Sequence, residues 1–290
     1  MLITVFTPAY NRANLLPRLY YSLCRQKFSD FEWVIVNDGS TDDTDSVVDG
    51  FIKEERLSII YIKKENGGKH RAINKGLEIA KGELFFIADS DDYLTDDSLE
   101  VVVSKYAKVC KDNRFCGIAG LDAKIGDGII GSGLPMDSID CNALDIRYKY
   151  NVSGDMKEVF RTEVLRKYLF PEIDGERFCP EVLVWNRIAK EYILHYINIP
   201  IYVAEYQEGG ITAGMTRVRM NSPIATVMCY AELMDAKIPL MQKLKAAINY
   251  WRFRFCIKEG KAFPKIGMVW NITAPVGYLM HLKDKNTIKK

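Results

Sequence analysis

Through about residue 125 the chain alternates short apolar runs, rich in β-branched and aromatic residues, with stretches in which apolar residues recur every three or four positions. That alternation predicts a mostly parallel sheet with crossover helices. Leu2 to Phe6 reads as a first strand. Ala13 to Gln26 reads as a helix, because Leu15, Leu16, Leu19, Tyr20 and Leu23 fall on one face. Trp33 to Val36, Ser58 to Ile62 and Leu84 to Ala88 supply three further strands. After the second strand, Ser40 and Thr41 are placed to cap a helix with Asp42 and Asp43 in its first turn, where the macrodipole favours negative charge. Asn66-Gly67-Gly68 opens another helix that runs through Ala80, and Gly82 ends it. The Gly-rich, poorly periodic stretch Gly126 to Asp140 reads as a loop or lid, and a mixed region follows from Asp155 to Thr212. From Asn221 onward the pattern is mostly helical and increasingly basic. The expected organisation is an α/β domain over 1–215, in halves 1–125 and 126–215, with a helical region over 216–290.

In open α/β sheets ligands collect beyond the carboxyl ends of the strands. Thr7 to Arg12, Asn37 to Ser40, Asn66 to Arg71 and Asp89 to Asp92 are therefore expected around one crevice. Asp38, Asp89, Asp91 and Asp92 would gather there, and clustered carboxylates call for a cation. Hard oxygen ligands suit Mg²⁺ or Mn²⁺, and one or two suffice when a substrate diphosphate supplies the rest. The plainer alternative is a set of solvated aspartates capping the next helix, with Thr95 and Asp96 beside them. G-x-G-x-x-G and the Walker Gly-Lys-Ser/Thr are both absent, which excludes a dehydrogenase and a P-loop ATPase. His70, His195 and His281 are scattered, without the spacing of a zinc site or a Ser-His-Asp hydrolase. His70 is left between a phosphate contact and a surface role.

With 290 residues, the chain has room for one large domain or two smaller ones. Its formal charge of 40 − 38 = +2 conceals a division, because Lys237 to Lys290 holds 12 basic and 2 acidic residues. That tail is +10 and the body −8. The seven cysteines are odd in number and lack C-x-x-C spacing, so buried thiols in a reducing compartment are expected. Leu2 to Phe6 has no basic region before it and meets Pro8 at once, unlike a secretory signal. Ile266 to Met280 falls short of the ~20 residues that cross a bilayer. The expected location is the cytoplasm.

Thr7-Pro8-Ala9-Tyr10-Asn11-Arg12, Val36-Asn37-Asp38-Gly39-Ser40-Thr41-Asp42-Asp43-Thr44, Asn66-Gly67-Gly68 with Ala72, Asn74 and Gly76, and Asp89-Ser90-Asp91-Asp92 together resemble the inverting family 2 glycosyltransferases of the GT-A fold. The likeness covers roughly the first 125 residues, continues more weakly to about Thr212, and extends in kind to bacterial surface-polysaccharide transferases. It implies a nucleotide-binding half over 1–125, an acceptor half over 126–215, and a nucleotide-sugar donor, most often a UDP-sugar. Pro8, Ala9 and Tyr10 would line the base and Asp38 would accept the uracil N–H. Arg12 and Lys69 would approach the diphosphate, Asp89 with Ser90 would hold the ribose side of the donor, and Asp91 would bind Mg²⁺ or Mn²⁺. Inversion needs a base for the acceptor hydroxyl proton. Family members often carry a Glu-Asp pair before a helix with a characteristic Arg; counting back from Arg187 puts Pro180 and Glu181 there. Glu181 is the chosen base, Glu176 the second choice, and Trp185 either lines the acceptor or belongs to the core.

The basic tail interleaves Trp251, Phe253, Phe255, Phe263, Trp270 and Tyr278 with Lys and Arg, as an interfacial segment on an anionic leaflet requires. A solvated or oligomeric face is the alternative, and nucleic acid is not the expected partner. The implied setting is the inner membrane face, with a glycan or lipid-linked acceptor. Two other activities stay open at this stage: a sugar-phosphate nucleotidyltransferase, and a non-catalytic membrane-docked scaffold with a donor pocket.

Overall fold

The four apolar runs of the first half become β1 (Ile3–Ala9), β2 (Phe31–Asn37), β3 (Ile59–Lys63) and β4 (Leu84–Ile87) of one sheet in the computed structural model, which describes residues 1–126, 128–205 and 214–288. They are mutually parallel in the order β3-β2-β1-β4, joined by α1 (Leu16–Cys24), α2 (Thr44–Lys53) and α3 (Lys69–Ile79). The chain builds outward from β1 to β3 and then returns to the far side of β1 for β4. This reversal opens a crevice beyond the carboxyl ends of β1 and β4, where ligands of such sheets bind.

Contacts divide the chain into two compact units, Met1–Leu169 with Ile188–Tyr206 and Phe170–Arg187 with Gln207–Lys290. The sequence boundary expected near residue 215 borders residues 206–213, which lie outside the described residues, as do the last two lysines of the tail. In the first unit the chain continues through β5 (Tyr93–Leu94), α4 (Ser98–Tyr106), β6 (Phe115–Lys124), β7 (Ser138–Cys141), α5 (Ala143–Tyr148), β8 (Met156–Arg161) and α6 (Thr162–Lys167). A long β9 (Ile193–Ala204) completes a nine-stranded sheet, β3-β2-β1-β4-β8-β6-β9-β5, with β7 beside β9. β8 runs antiparallel to both β4 and β6, and β6 is parallel to β9.

β2 is buried along its whole length, which is why its sequence is apolar almost without alternation. Trp33 is held in that core by its indole N–H, which donates to Thr7 Oγ1 at 2.9 Å, and the neighbouring Tyr20 stacks on Phe51 at 4.0 Å. The exception in β2, Glu32, is 1% exposed and accepts from Thr4 Oγ1 and the Lys81 N–H, both at 2.6 Å, so its carboxylate is satisfied. Gly76 brings α3 against β1: a Cβ there would stand 2.3 Å from the Phe6 ring.

Two local expectations are corrected. Ser40 and Thr41 do not cap α2, which begins at Thr44; Asp42 serves its start, accepting from Thr44 N–H and Oγ1 at 3.1 and 2.5 Å. Ser40 and Thr41 bind Asn11 across the crevice rim instead. Within Gly126 to Asp140, described residues are pinned to the sheet: Ile130 N–H donates to Asp122 O at 2.7 Å, Leu134 N–H to Asn198 Oδ1 at 3.0 Å, and β7 begins at Ser138. The described residues up to Asp137 form the expected loop, tied to the sheet at these points, and the stretch ends in a strand where irregular chain was expected.

The second unit comprises α7 (Glu181–Ile188, its last residue counted with the first unit), α8 (Met215–Asn221), α9 (Pro223–Asp235), α10 (Leu240–Arg254), a 3-10 helix (Met268–Thr273) and α11 (Ala274–Ile288). Its core gathers Val227, Ala231 and Met234 of α9 with Ala246, Ala247, Tyr250 and Phe253 of α10. Arg187 grips Glu232 through Nε and Nη2 at 2.9 and 2.6 Å, a two-pronged pairing that ties α7 to α9.

Candidate active site

The carboxyl ends of β1 and β2 stay in register through Pro8 opposite Val36 and Ala9 opposite Asn37. Beyond them the chain turns at Asn11, which has φ 53°; its N–H donates to Ser40 Oγ at 2.9 Å and its side chain accepts from the Thr41 N–H at 2.8 Å. These bonds hold Tyr10, which is exposed, and Arg12, which is half-buried, at the mouth of the crevice.

Asp38 is 4% exposed, and its partners lie far along the chain. Its carboxylate accepts the Gly67 and Gly68 N–H groups at 2.9 and 2.7 Å and the Lys64 ammonium at 2.5 Å. The Asp38 carboxylate thereby clamps the loop that starts α3. Gly68 has φ 98°, a conformation that favours glycine, which lets the loop present consecutive N–H groups to that carboxylate. An ionised carboxylate has about four acceptor positions, so a further donor still fits.

At the end of β4, the Asp89 N–H donates to Tyr202 Oη on β9 at 2.6 Å. The Asp89 carboxylate lies between two ammonium groups, Lys69 at 2.5 Å and Lys157 at 3.8 Å. Burial alone would raise the Asp89 carboxyl; the charges of Lys69 and Lys157 outweigh it and hold the group below the usual carboxylate range. Burial conversely opposes the Lys157 charge, but Asp89 and Asp122 keep that ammonium above its usual value. Lys157 also caps the Tyr202 ring, its Nζ 3.7 Å from the centroid.

Ser90 and Asp92 are buried while Asp91 is half-buried. Burial pushes the Asp92 carboxyl up to about 6 although it accepts the Glu205 N–H at 2.9 Å. Arg18 bonds the Asp91 carbonyl and the Glu205 carboxylate and lies over the Tyr93 ring, which fixes the backbone at Asp91. Asp122, on β6, is 4% exposed, has one oxygen without a hydrogen-bond partner, and is pushed up to about 6 by burial. The two lysines neutralise Asp89, and Asp92 is engaged with backbone.

Among the described residues no group of three His, Cys, Asp or Glu side chains stands ready to hold a metal by itself. Such a site fits a hard cation that shares its coordination between one or two protein oxygens, water and phosphate. Lys157, Asp122, Tyr202, Arg18 and Glu205 escaped sequence reasoning. They reach the site by strand pairing and side-chain contact, and no local motif marks them.

The base candidates belong to the second unit. Glu181 is the first residue of α7 and half-buried. Glu176 is 5% exposed, and its two oxygens accept the Ile224 and Ala225 N–H groups at 2.6 and 2.9 Å, closing the start of α9. Trp185 is half-buried with its ring edge-on to Phe170 at 5.9 Å. His70 is buried in α3, which corrects the surface reading. His195 bonds Asp140 at 2.6 Å and His281 contacts the Cys256 thiol at 3.5 Å, so the histidines stay dispersed. All seven cysteines are free thiols, four buried and three half-buried.

Residues 4–126 match the sequence profile described as Glycosyl transferase family 2. The GalNAc(5)-diNAcBac-PP-undecaprenol beta-1,3-glucosyltransferase of Campylobacter jejuni is 29% identical over 220 residues, 74% of this chain and 68% of that one. Among solved structures, Staphylococcus aureus TarS 1-349 in complex with UDP-GlcNAc superposes with a TM-score of 0.68 at 20% identity, covering 98% of this chain and 81% of that one. A mannosyltransferase of Pyrobaculum calidifontis, in complex with GDP-Man and Mn²⁺, superposes with a TM-score of 0.57 at 21% identity, over 96% of this chain and 73% of that one. The profile match makes residues 4–126, which carry the crevice segments, a family 2 glycosyltransferase domain, and the superpositions show the GT-A fold.

Proposed function

We propose that this chain transfers a sugar, with inversion, from a nucleotide diphosphate sugar, in the first place a UDP-sugar, to a hydroxyl of a glycan or lipid-linked acceptor in surface-polysaccharide assembly. The observation that carries the reading is the end of β4: Asp89 is held ionised between Lys69 and Lys157, and the half-buried Asp91 stands beside it. Pro8, Ala9 and Tyr10 line the base, and Asp38 uses its remaining acceptor position for the uracil N–H. Asp89 and Ser90 hold the ribose side, while Arg12 and Lys69 lie toward the diphosphate. Asp91 would hold Mg²⁺ or Mn²⁺, whose chemistry when bound is to offset charge on the departing diphosphate.

Glu181 takes the acceptor hydroxyl proton as the acceptor oxygen bonds the anomeric carbon; the bond from that carbon to the diphosphate oxygen breaks on the opposite face. The engagement of both Glu176 oxygens by α9 supports Glu181 over Glu176 as the base.

The location that fits is cytoplasmic, with peripheral contact to the inner membrane face through 237–290. That segment carries 12 basic against 2 acidic residues. Among the described residues no helix is long and apolar enough to cross a membrane. The same surface serves alternatively for self-association.

The test is turnover with UDP-, GDP- and dTDP-sugars in the presence of Mn²⁺, Mg²⁺ or EDTA. Release of the nucleoside diphosphate, with metal required, is the expected result. Pyrophosphate release with sugar 1-phosphate would identify a nucleotidyltransferase, and binding without turnover a scaffold.

A further inference from the structure

The C-terminal unit carries an apolar ridge that none of its own elements covers. Met268, Val269 and Ile272 of the 3-10 helix are 87, 74 and 81% exposed, and Val276 and Leu279 of α11 are 48 and 67% exposed. Steps of three and four residues set 272, 276 and 279 along one helical face, and Lys283, four further on and exposed, continues it.

These are different residues from those the tail's aromatic pattern singled out. Phe253 is buried, and Trp251, Phe263 and Trp270 pack against the core around Tyr250, with the Trp251 indole N–H donating to Trp270 O at 3.3 Å. Of the six aromatics named from the sequence, Phe255 and Tyr278 are exposed, Phe253 is buried and the other three are half-buried.

The inward face of α11 holds the ridge outward. Gly277 lies so close to α10 that a Cβ would stand 2.5 Å from Trp251 Cβ, and Thr273 and His281 are buried on the same side. Further along, Arg252 grips Asp284 at 2.5 and 2.8 Å. The ridge is therefore a fixed surface of a packed helix.

A contiguous exposed apolar surface of this kind marks an interaction site. Its occupant is identified by charge. From residue 255 to 288 the ridge is flanked by five exposed lysines, 258, 261, 265, 283 and 285, against Glu259 and Asp284, and Asp284 is already paired with Arg252. Two copies meeting through this face would oppose their lysines. An anionic bilayer accepts both features, apolar side chains among the acyl chains and ammonium groups on the phosphates.

We infer that the ridge Met268-Val269-Ile272-Val276-Leu279 inserts into an anionic lipid bilayer, with the surrounding lysines on its headgroups. The inference rests on the membrane placement proposed above and deepens it: attachment comes from insertion of an aliphatic ridge, and cation attraction alone does not supply it.

The experiment is co-sedimentation of the full chain with phosphatidylcholine vesicles, with and without phosphatidylglycerol, at low and high salt, alongside size-exclusion chromatography and donor turnover. Wild type is expected to bind vesicles containing phosphatidylglycerol and to retain part of that binding at high salt. The double variant Ile272→Ser, Leu279→Ser is expected to bind on the order of a hundredfold more weakly, from the loss of two buried aliphatic side chains. Its donor turnover should be unchanged. Lys265→Gln with Lys283→Gln should reduce only the salt-sensitive part.

Vesicle binding by the double Ser variant equal to wild type would overturn the ridge and leave the membrane placement standing. No binding by wild type would overturn both. A wild-type dimer that the Ser variant converts to monomer, without vesicle binding, would assign the ridge to self-association and overturn the inference.

Discussion

Glu176 and Glu181 lie five residues apart on one segment, yet their environments predict opposite consequences of removal. Glu176→Ala deletes the acceptor of two N–H···O bonds, 2.6 and 2.9 Å long, at the start of α9. Hydrogen bonds to a charged group contribute about 1.5–3 kcal/mol each, and buried N–H groups left without a partner add cost. Against this, burial already holds the Glu176 carboxyl above the usual range, so deleting the charge returns part of that penalty. The net loss is about 2–4 kcal/mol, which for a chain of this size lowers the melting temperature by roughly 5–15 °C.

Glu181→Gln keeps the size of a half-buried side chain at a helix start and removes its charge, which should cost about 1 kcal/mol of stability, the scale of a helix-dipole contribution. As the base, its loss should lower turnover about 10²–10⁴-fold. Thermal melts of both variants, followed by initial rates at a temperature where both are folded, separate the roles. Glu176→Ala should melt early yet turn over within a few-fold of wild type. A folded Glu176→Ala without turnover beside an active Glu181→Gln would refute the assignment.

Three further outcomes follow from the crevice. Asp91→Asn should abolish metal-stimulated UDP binding and lower turnover by at least about a hundredfold, measured by calorimetry with and without Mn²⁺. Lys157→Met removes an ammonium 3.8 Å from Asp89. Lys69 remains and Asp89 is partly solvated, so the loss in donor affinity is about 1–2 kcal/mol. The Asp89 carboxyl then rises from its depressed value, and donor binding, read across pH, should fail at a higher pH than in wild type. Asp122 has its carboxyl raised from 3.8 to about 6, so the folded state holds the proton more tightly than the unfolded chain. The stability this contributes is complete below pH 3.8 and is lost as pH rises through about 6. Asp122→Asn should flatten urea-unfolding stability between those pH values; an unchanged slope would remove Asp122 as its cause.

The sequence by itself determined the strands and helices of the first 125 residues, the placement of Asp89 to Asp92 at the end of β4, and the likeness of that stretch to family 2 glycosyltransferases. Those features rest on local physics: hydrophobic period, glycine where the backbone needs positive φ, and strand ends that open one crevice. Tertiary structure decided which charges meet. Lys157 and Asp122 arrive from β8 and β6, and Tyr202 from β9, through strand pairing, and the Tyr202 hydroxyl then accepts from the Asp89 N–H, 113 positions away. Asp38 binds a loop 29 and 30 residues on, and both Glu176 oxygens meet the start of α9, 48 and 49 residues away. In the tail, composition identified cations and rings, but which side chains face out depends on the helix they pack upon. The close approach of Gly277 to Trp251 turns the aromatic core inward and leaves the aliphatic ridge outside.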